Sequence, residues 1–332
     1  MSAFAAWLDG AGRVKRAPAL LLGAWALTLL VSVPLAVEMR GLLAQHLGAS
    51  LAADTAADGV NYDWMQEFGA QASGLGTTFT PTIIGFAAVL DNLSSFIDAT
   101  PRPIVIVAAA AVYIVLWIFL AGGMIDRLAR DRPTRAPGFF SAAGGFFFRF
   151  LRLAAVQCLI YAVLFGVLHP WLFDTLYTRL THEIAVERTA FAVRAGLYML
   201  FGAAVAAATM LFDYAKVRTV VEDRRSMLRA IGAAAGFIRR NAGGAVSLFL
   251  LNFAAFVATL AVYAVVAPGA GRAGVTMWLG LAVGQIYVLA RLWIKLTFWA
   301  SATALFQGRL GHAGYVVRAE PVWPESPAAD AI

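Results

Sequence analysis

The residues best suited to chemistry in this sequence are two cations within its last apolar stretch. Arg291 and Lys295 are four residues apart, so a helix places them on one face. Ionisable side chains inside an apolar span are costly and usually face the bundle interior or a wet cavity. The pair therefore predicts a site for an anion or a lipid headgroup, and Gln285, deeper in the same stretch, is predicted to line the same route.

This interpretation has structural alternatives that stay open. Arg291 and Lys295 also suit an ion pair, or a position near the end of a span from which their long side chains reach lipid phosphates. In that case residues 296–306 form an extension at the membrane surface. Gln285 equally suits a hydrogen bond between packed helices.

Two aspartates each end an apolar stretch, where a carboxylate meets the negative end of a helix dipole. Asp126 is followed four residues later by Arg130, and Asp213 is followed three residues later by Lys216. Both spacings allow an ion pair if the helix continues. Local pairing is therefore the predicted role of these four residues, and a proton relay is the alternative.

Motifs for catalysis or metal binding are not recognisable in the sequence. His182–Glu187 lacks the spacing that places two histidines on one helical face, and the single cysteine, Cys158, excludes an intramolecular disulfide. No nucleophile elbow, P-loop or dinucleotide fingerprint occurs. We predict a protein that is not an enzyme and has no cofactor or metal, with an intramembrane lipid-modifying enzyme as a third-ranked alternative.

The elements that position these residues follow from composition. Hydrophobic residues make up 61% of the chain and charged residues 14%, against roughly 45–50% and about 25% in soluble domains. Apolar runs of about 20 residues suit helices that cross a bilayer, and they are not the alternating strands of a barrel. We predict an all-α, polytopic integral membrane protein with spans near 17–37, 104–125, 153–173, 190–212, 245–267 and 275–300.

The distribution of charge predicts the topology. If the chain crosses six times, most of its 26 lysines and arginines lie on the side of the N-terminus, which the positive-inside rule assigns to the cytoplasm. Both termini and the loops 126–152 and 213–244 are then cytoplasmic. The tail, 308–332, is rich in proline and acidic residues and is predicted to be disordered.

The second of these loops predicts an amphipathic helix from Ser226 onward. Arg225 and Arg229 lie on its polar face, where they would meet lipid phosphates. Its apolar positions are Met227, Leu228, Ile231, Ala234, Ala235 and Ile238. Interrupting acids and the lack of a binding motif argue against nucleic acid. The first loop has a similar order of charged and small residues, which indicates either a repeated unit or convergence.

The segment 38–103 is acidic and is predicted to lie on the outer side. Thr80 and Pro81 predict the start of an amphipathic helix that ends before Pro101 and rests on another surface without spanning. Trp64 and Phe68, four residues apart, predict one face of a short helix that anchors at the interface. A cap that binds a partner or solute is the alternative.

The stretch FDYAKVRTVVEDRRSMLRAIGAAAGFIRRN, residues 212–241, resembles bacterial polytopic membrane proteins of unknown function. These include membrane domains found beside glycerophosphodiester phosphodiesterases, in which a span ends in Asp and an amphipathic helix leads to the next span. The resemblance implies a bacterial inner-membrane protein and no specific activity. We predict a non-enzymatic membrane module whose partners are membrane lipids, with a protein partner or a second copy left open. The alternative is a carrier or permease subunit for an anionic solute or lipid.

Overall fold

The chain folds into helices joined by short turns, and no strand occurs in the parts described. The computed structural model describes residues 1–48, 50–57, 59, 61–83, 85–267, 269 and 274–309. The predicted disordered tail, 308–332, lies outside this description from residue 310 onward.

The helices are numbered in chain order. They are α1 (Ala3–Lys15), α2 (Pro18–Leu47), α3 (Ala53–Ala57), α4 (Tyr62–Gln71), α5 (Gly85–Ile97), α6 (Ile104–Arg130), α7 (Ala136–Val163), α8 (Tyr177–Thr181), α9 (Glu187–Val221), α10 (Met227–Arg240), α11 (Ala242–Val266) and α12 (Val275–Arg309). Short 3₁₀ turns at Gly74–Thr78 and Pro81–Ile83 precede α5, and π-helical segments at Leu164–Leu168 and Trp171–Leu176 join α7 to α8.

Six helical stretches within the described residues are long and apolar enough to cross a bilayer: α2, α6, α7 together with α8, α9, α11 and α12. The predicted all-α, polytopic membrane fold is confirmed. The connections alternate between two faces of the bundle. We call the face with α1, α10 and the end of α12 the basic face, and the face with α3, α4 and α5 the acidic face.

Helix α1 closes the basic face and was not predicted. Its buried residues Ala6, Gly10 and Val14 are spaced four apart and form one stripe. A side-chain carbon added at Gly10 would lie 2.5 Å from the backbone nitrogen of Ser301 in α12. Glycine is therefore what lets α1 approach the last helix so closely.

The first basic-face connection is shorter than predicted. Helix α6 continues to Arg130 and α7 begins at Ala136, so most of the predicted loop 126–152 is helical. The cause is close packing of the two helices, since a Cβ at Gly123 would lie 2.8 Å from the carbonyl oxygen of Phe139. The third membrane helix therefore starts well before residue 153.

The second connection contains the predicted amphipathic helix, α10. Its buried residues are Met227, Ala230, Ala234 and Phe237, and the ring of Phe237 packs on Tyr214 of α9 at 5.2 Å. These four residues form a stripe that packs against the rest of the protein. The side chain of Leu228, in contrast, is 72% exposed.

The two basic-face turns share one backbone feature. Asp131 and Asp223 adopt left-handed conformations, with φ of 50° and 47°. The connections then differ, because α7 continues as a span whereas Asn241 separates α10 from α11. The hypothesis of a repeated unit stays untested.

The acidic face carries short helices. Trp64 and Phe68 lie on one face of α4 as predicted, but they are 5% and 4% exposed. They pack with His46 and Phe79, and the indole N–H of Trp64 donates to Nδ1 of His46 at 2.9 Å. Their side chains therefore stabilise this segment and are not free to anchor in lipid.

The predicted outer amphipathic helix is present as α5 but starts later than Pro81, at Gly85. Pro81–Ile83 forms a 3₁₀ turn instead. With 13 residues, α5 is too short to span.

Candidate functional site

The spanning helices line an open cavity of about 610 Å³, within the size range of small-molecule sites. All six spanning helices contribute to its wall. The wall residues are Thr28 of α2; Tyr113, Ile114, Trp117, Ile118 and Ala121 of α6; Phe150, Ala154, Gln157, Cys158 and Tyr161 of α7; Lys216 of α9; Phe256 of α11; and Val288, Arg291, Leu292, Ile294, Lys295, Phe298 and Trp299 of α12.

The wall carries the cations Lys216, Arg291 and Lys295. The ammonium groups of Lys295 and Lys216 lie 4.9 and 5.9 Å from the ring centre of Trp299. The guanidinium of Arg291 lies 5.6 Å from the ring centre of Tyr287. Aromatic faces attract cations but do not neutralise them.

One buried carboxylate balances part of this charge. Asp213, 6% exposed, accepts the ammonium of Lys216 at 3.3 Å and the indole N–H of Trp299 at 3.0 Å, both on Oδ1. The predicted pairing of Asp213 with Lys216 is therefore present. It also has a tertiary role, because it joins α9 to α12.

Arg291 and Lys295 form no such close ion pair, although the ammonium of Lys295 interacts electrostatically with Asp213 at longer range. Among the described residues, no carboxylate oxygen lies within 4.0 Å of either side chain. Arg291 is exposed and Lys295 is half-buried. Together with Lys216 they outnumber the carboxylate of Asp213, so this part of the wall carries net positive charge.

Helix α12 extends well beyond the two cations. It continues from Lys295 to Arg309, about 20 Å of helix at 1.5 Å per residue. Residues 296–306, expected as a surface extension in the alternative reading, are instead mostly buried in the core. The side chains of Arg291 and Lys295 line the cavity far from the basic end of the helix.

The rest of the wall is mostly apolar and aromatic, with a few polar groups. The hydroxyls of Thr28 and Tyr113 lie 3.1 Å apart, and Gln157 donates to the hydroxyl of Tyr161 at 3.4 Å. Ile114 is 54% exposed, so the cavity wall reaches the outside of the bundle at α6. A wall of this kind suits a ligand with a charged head and an apolar body.

No protein-family model matches this chain, and no curated protein or solved structure matches it. The proposals below therefore rest on the geometry of the cavity.

The other residues singled out in the sequence lie elsewhere. Gln285 does not line the cavity. Its carboxamide oxygen accepts a hydrogen bond from the indole N–H of Trp25 in α2 at 2.8 Å. This is the hydrogen bond between packed helices that the sequence allowed as the alternative role of Gln285. Asp126 and Arg130 form the predicted ion pair, with Arg130 Nε 2.8 Å from Asp126 Oδ2. Arg225 and Arg229 are exposed on the basic face.

Sequence reasoning missed part of this site. The sequence predicts Lys216 only as a partner of Asp213, because its contribution to the cavity depends on contacts between α9 and α12. Tyr113 with Trp117, and Gln157 with Tyr161, are polar pairs four residues apart within apolar stretches. That spacing on two neighbouring spans was the available signal for a shared wall.

Towards the acidic face, two pairs of spanning helices are each joined by a side-chain contact, and we call these pairs the two groups; α2 and α6 belong to neither. In one, α7 contacts α9 through Tyr161 and Thr209, whose hydroxyls are 3.0 Å apart. In the other, α11 contacts α12 through the stacked rings of Tyr263 and Tyr287, 4.0 Å between centres. The cavity lies between the groups, with wall residues from both.

Helix α5 bridges the two groups. The ring of Phe86 contacts Tyr263 of α11 at 6.3 Å, and the ring of Phe96 contacts Phe165 of the α7 extension at 5.1 Å. Beyond the helix, Asp98 accepts the hydroxyl of Tyr198 in α9 at 2.5 Å. This hydrogen bond lowers the pKa of Asp98 below its ordinary value.

Proposed function

We propose that this chain is a non-enzymatic membrane module that binds an anionic amphiphile, such as an acidic lipid, in the cavity between its spanning helices. The observation that carries the proposal is the pair of cations, Arg291 and Lys295, which line a mostly apolar cavity and form no close ion pair with a carboxylate among the described residues. The charged head would lie at these residues, and the apolar body would lie along the aromatic wall.

The proposal includes a location and an orientation. The excess of arginine and lysine on the basic face supports a cytoplasmic position for that face and for both termini. Because the chain resembles bacterial proteins between residues 212 and 241, we propose the bacterial inner membrane. Exposed Arg225 and Arg229 on the basic face would then meet lipid phosphates.

Native mass spectrometry of the purified protein tests the proposal. The wild type should retain an anionic lipid in mild detergent, and Arg291→Gln with Lys295→Gln should lose it. The matched control is Arg179→Gln with Arg188→Gln, which removes the same charge from exposed residues outside the cavity wall. Equal retention by the wild type and the cavity variant would exclude the proposed site.

A carrier for an anionic solute or lipid is the second candidate. It is favoured by the position of the cavity between two helix groups that α5 bridges through Phe86 and Phe96. A carrier must expose its site alternately to the two sides, and relative movement of two helix groups around a fixed site achieves this.

Reconstituted liposomes separate the two candidates. Protein-dependent movement of a fluorescent anionic lipid between leaflets, lost in the variant with Arg291→Gln and Lys295→Gln, would support the carrier. Binding without movement would leave the binding module as the function.

A further inference from the structure

We infer that the cavity selects a dianionic phosphate monoester headgroup over a singly charged phosphodiester. This inference rests on the proposed function, since it specifies the ligand of the same site. The basis is the net charge of the wall and the geometry of its donors.

The charge count of the site leaves two positive charges for a ligand. Lys216 and Asp213 compensate each other at 3.3 Å. Arg291 and Lys295 add two positive charges, and neither has a carboxylate oxygen within 4.0 Å among the described residues. Arg291 is exposed and Lys295 is half-buried, so an apolar ligand bound over them would remove both charges from solvent, and a ligand that also neutralises both is favoured.

Common anionic headgroups differ in how much charge they supply. A phosphodiester or a carboxylate carries one negative charge. A phosphate monoester carries about −1.5 to −2 at pH 7, because its second pKa is about 6. Among these groups, the monoester matches the two cations.

The shapes of the donors also fit a phosphate. The guanidinium of Arg291 is a planar fork that can bind two phosphate oxygens at once, and the ammonium of Lys295 is a point charge one helical turn away. A monoester has three terminal oxygens, so two can bind Arg291 and the third can bind Lys295. A diester has two, so one of them would have to be shared between Arg291 and Lys295.

The cavity volume indicates which part of the ligand is enclosed. About 610 Å³ holds a headgroup and the beginning of an apolar chain, and not a whole diacyl lipid. The exposed side chain of Ile114, on the wall formed by α6, provides an apolar exit towards the bilayer. The ligand class is therefore a lipid phosphate monoester.

Competition between two lipids that differ only in headgroup tests this inference. Delipidated full-length protein in neutral detergent would be mixed with equal amounts of dioleoyl phosphatidic acid, a monoester, and dioleoyl phosphatidylglycerol, a diester, and bound species counted by native mass spectrometry. At pH 8 we expect the monoester to be favoured by about tenfold, equivalent to ~1.4 kcal/mol. At pH 5, where it carries one charge, the preference should fall towards equality.

Single variants identify the source of the preference. Lys295→Gln should remove most of it while Arg291 still holds an anion, and Arg179→Gln should leave it unchanged. Glycerol 3-phosphate, a soluble monoester, should compete far less well than phosphatidic acid. Competition at equal concentration would overturn the assignment to a lipid.

The experiment distinguishes a failure of the monoester preference from a failure of the proposed function. If the wild type binds both lipids equally at pH 8, and Arg291→Gln with Lys295→Gln binds neither, the monoester preference is wrong and the proposed function stands. If neither lipid binds the wild type, or both bind the double variant as well as the wild type, the proposed function itself is wrong.

Discussion

Oδ1 of Asp213 accepts the indole N–H of Trp299 at 3.0 Å, and this hydrogen bond joins α9 to α12 beside the cavity. The ring centre of Trp299 also lies 5.9 Å from the ammonium of Lys216 and 4.9 Å from that of Lys295. The carboxylate of Asp213 therefore stabilises the contact between α9 and α12 and neutralises part of the positive charge of the site.

Removing this carboxylate should destabilise the protein. Asp213→Ala leaves Lys216 unpaired and the indole N–H of Trp299 without its acceptor, so we expect a loss of about 3 kcal/mol, seen as a lower melting temperature in detergent. Asp213→Asn retains an acceptor for Trp299 but also leaves Lys216 without a counter-charge, so it should cost about 2 kcal/mol.

The same pair of variants separates stability from binding. Asp213→Asn makes the cavity more positive, so the proposed anionic lipid should bind as tightly as in the wild type or more tightly. Weaker binding by a folded Asp213→Asn protein would contradict binding that is driven by the positive charge of the wall.

The contact between α1 and α12 depends on Gly10. Gly10→Ala would place a methyl group 2.5 Å from the backbone nitrogen of Ser301, so the helices must move apart. We expect a loss of about 1–3 kcal/mol, the usual cost of overpacking, measured by thermal unfolding. Gly23→Ala, where no atom lies within 4 Å of the added carbon, is the matched helical control. Equal melting temperatures for the two variants would refute the close contact.

The attachment of α5 to α9 should depend on pH. The hydrogen bond from Tyr198 lowers the pKa of Asp98 in the folded protein, so its stabilising contribution is present above the unfolded pKa of about 3.9. It is lost as the pH falls through the lower folded value. Amide protection of α5, measured by hydrogen exchange corrected for intrinsic rates, should therefore decrease below about pH 4.

A hydroxyl deletion provides the control for this pH effect. Tyr198→Phe should reduce α5 protection already at neutral pH and flatten its dependence on pH. An unchanged pH profile in Tyr198→Phe would assign the effect to other carboxylates, such as Asp91, which pairs with Arg102.

The sequence predicted the class of fold because a membrane span requires an apolar run of defined length. It predicted boundaries less well, because helices continue past the apolar run where protein contacts support them. The packing of Gly123 on Phe139 extends the α6–α7 hairpin, and that of Gly10 on Ser301 secures α1. Such contacts join distant parts of the chain and leave little local signal.

The candidate site was also predictable only in part. Arg291 and Lys295 were recognisable from one helix alone, because charge within an apolar run is unusual. The contribution of Lys216 and the position of Gln285 outside the cavity wall depend on how α9 and α2 pack against α12, which local spacing does not determine.

The most direct test of the central claim uses Cys158, the single cysteine of the chain, which is exposed and lines the cavity. The rate of maleimide labelling at Cys158 would be measured in neutral detergent with increasing dioleoyl phosphatidic acid, and with dioleoyl phosphatidylcholine as the control lipid. Phosphatidic acid should slow labelling of the wild type, and it should not slow labelling of a folded protein with Arg291→Gln and Lys295→Gln. If labelling of the wild type is unaffected, or slows equally in that variant, the cavity does not bind an anionic lipid through these cations.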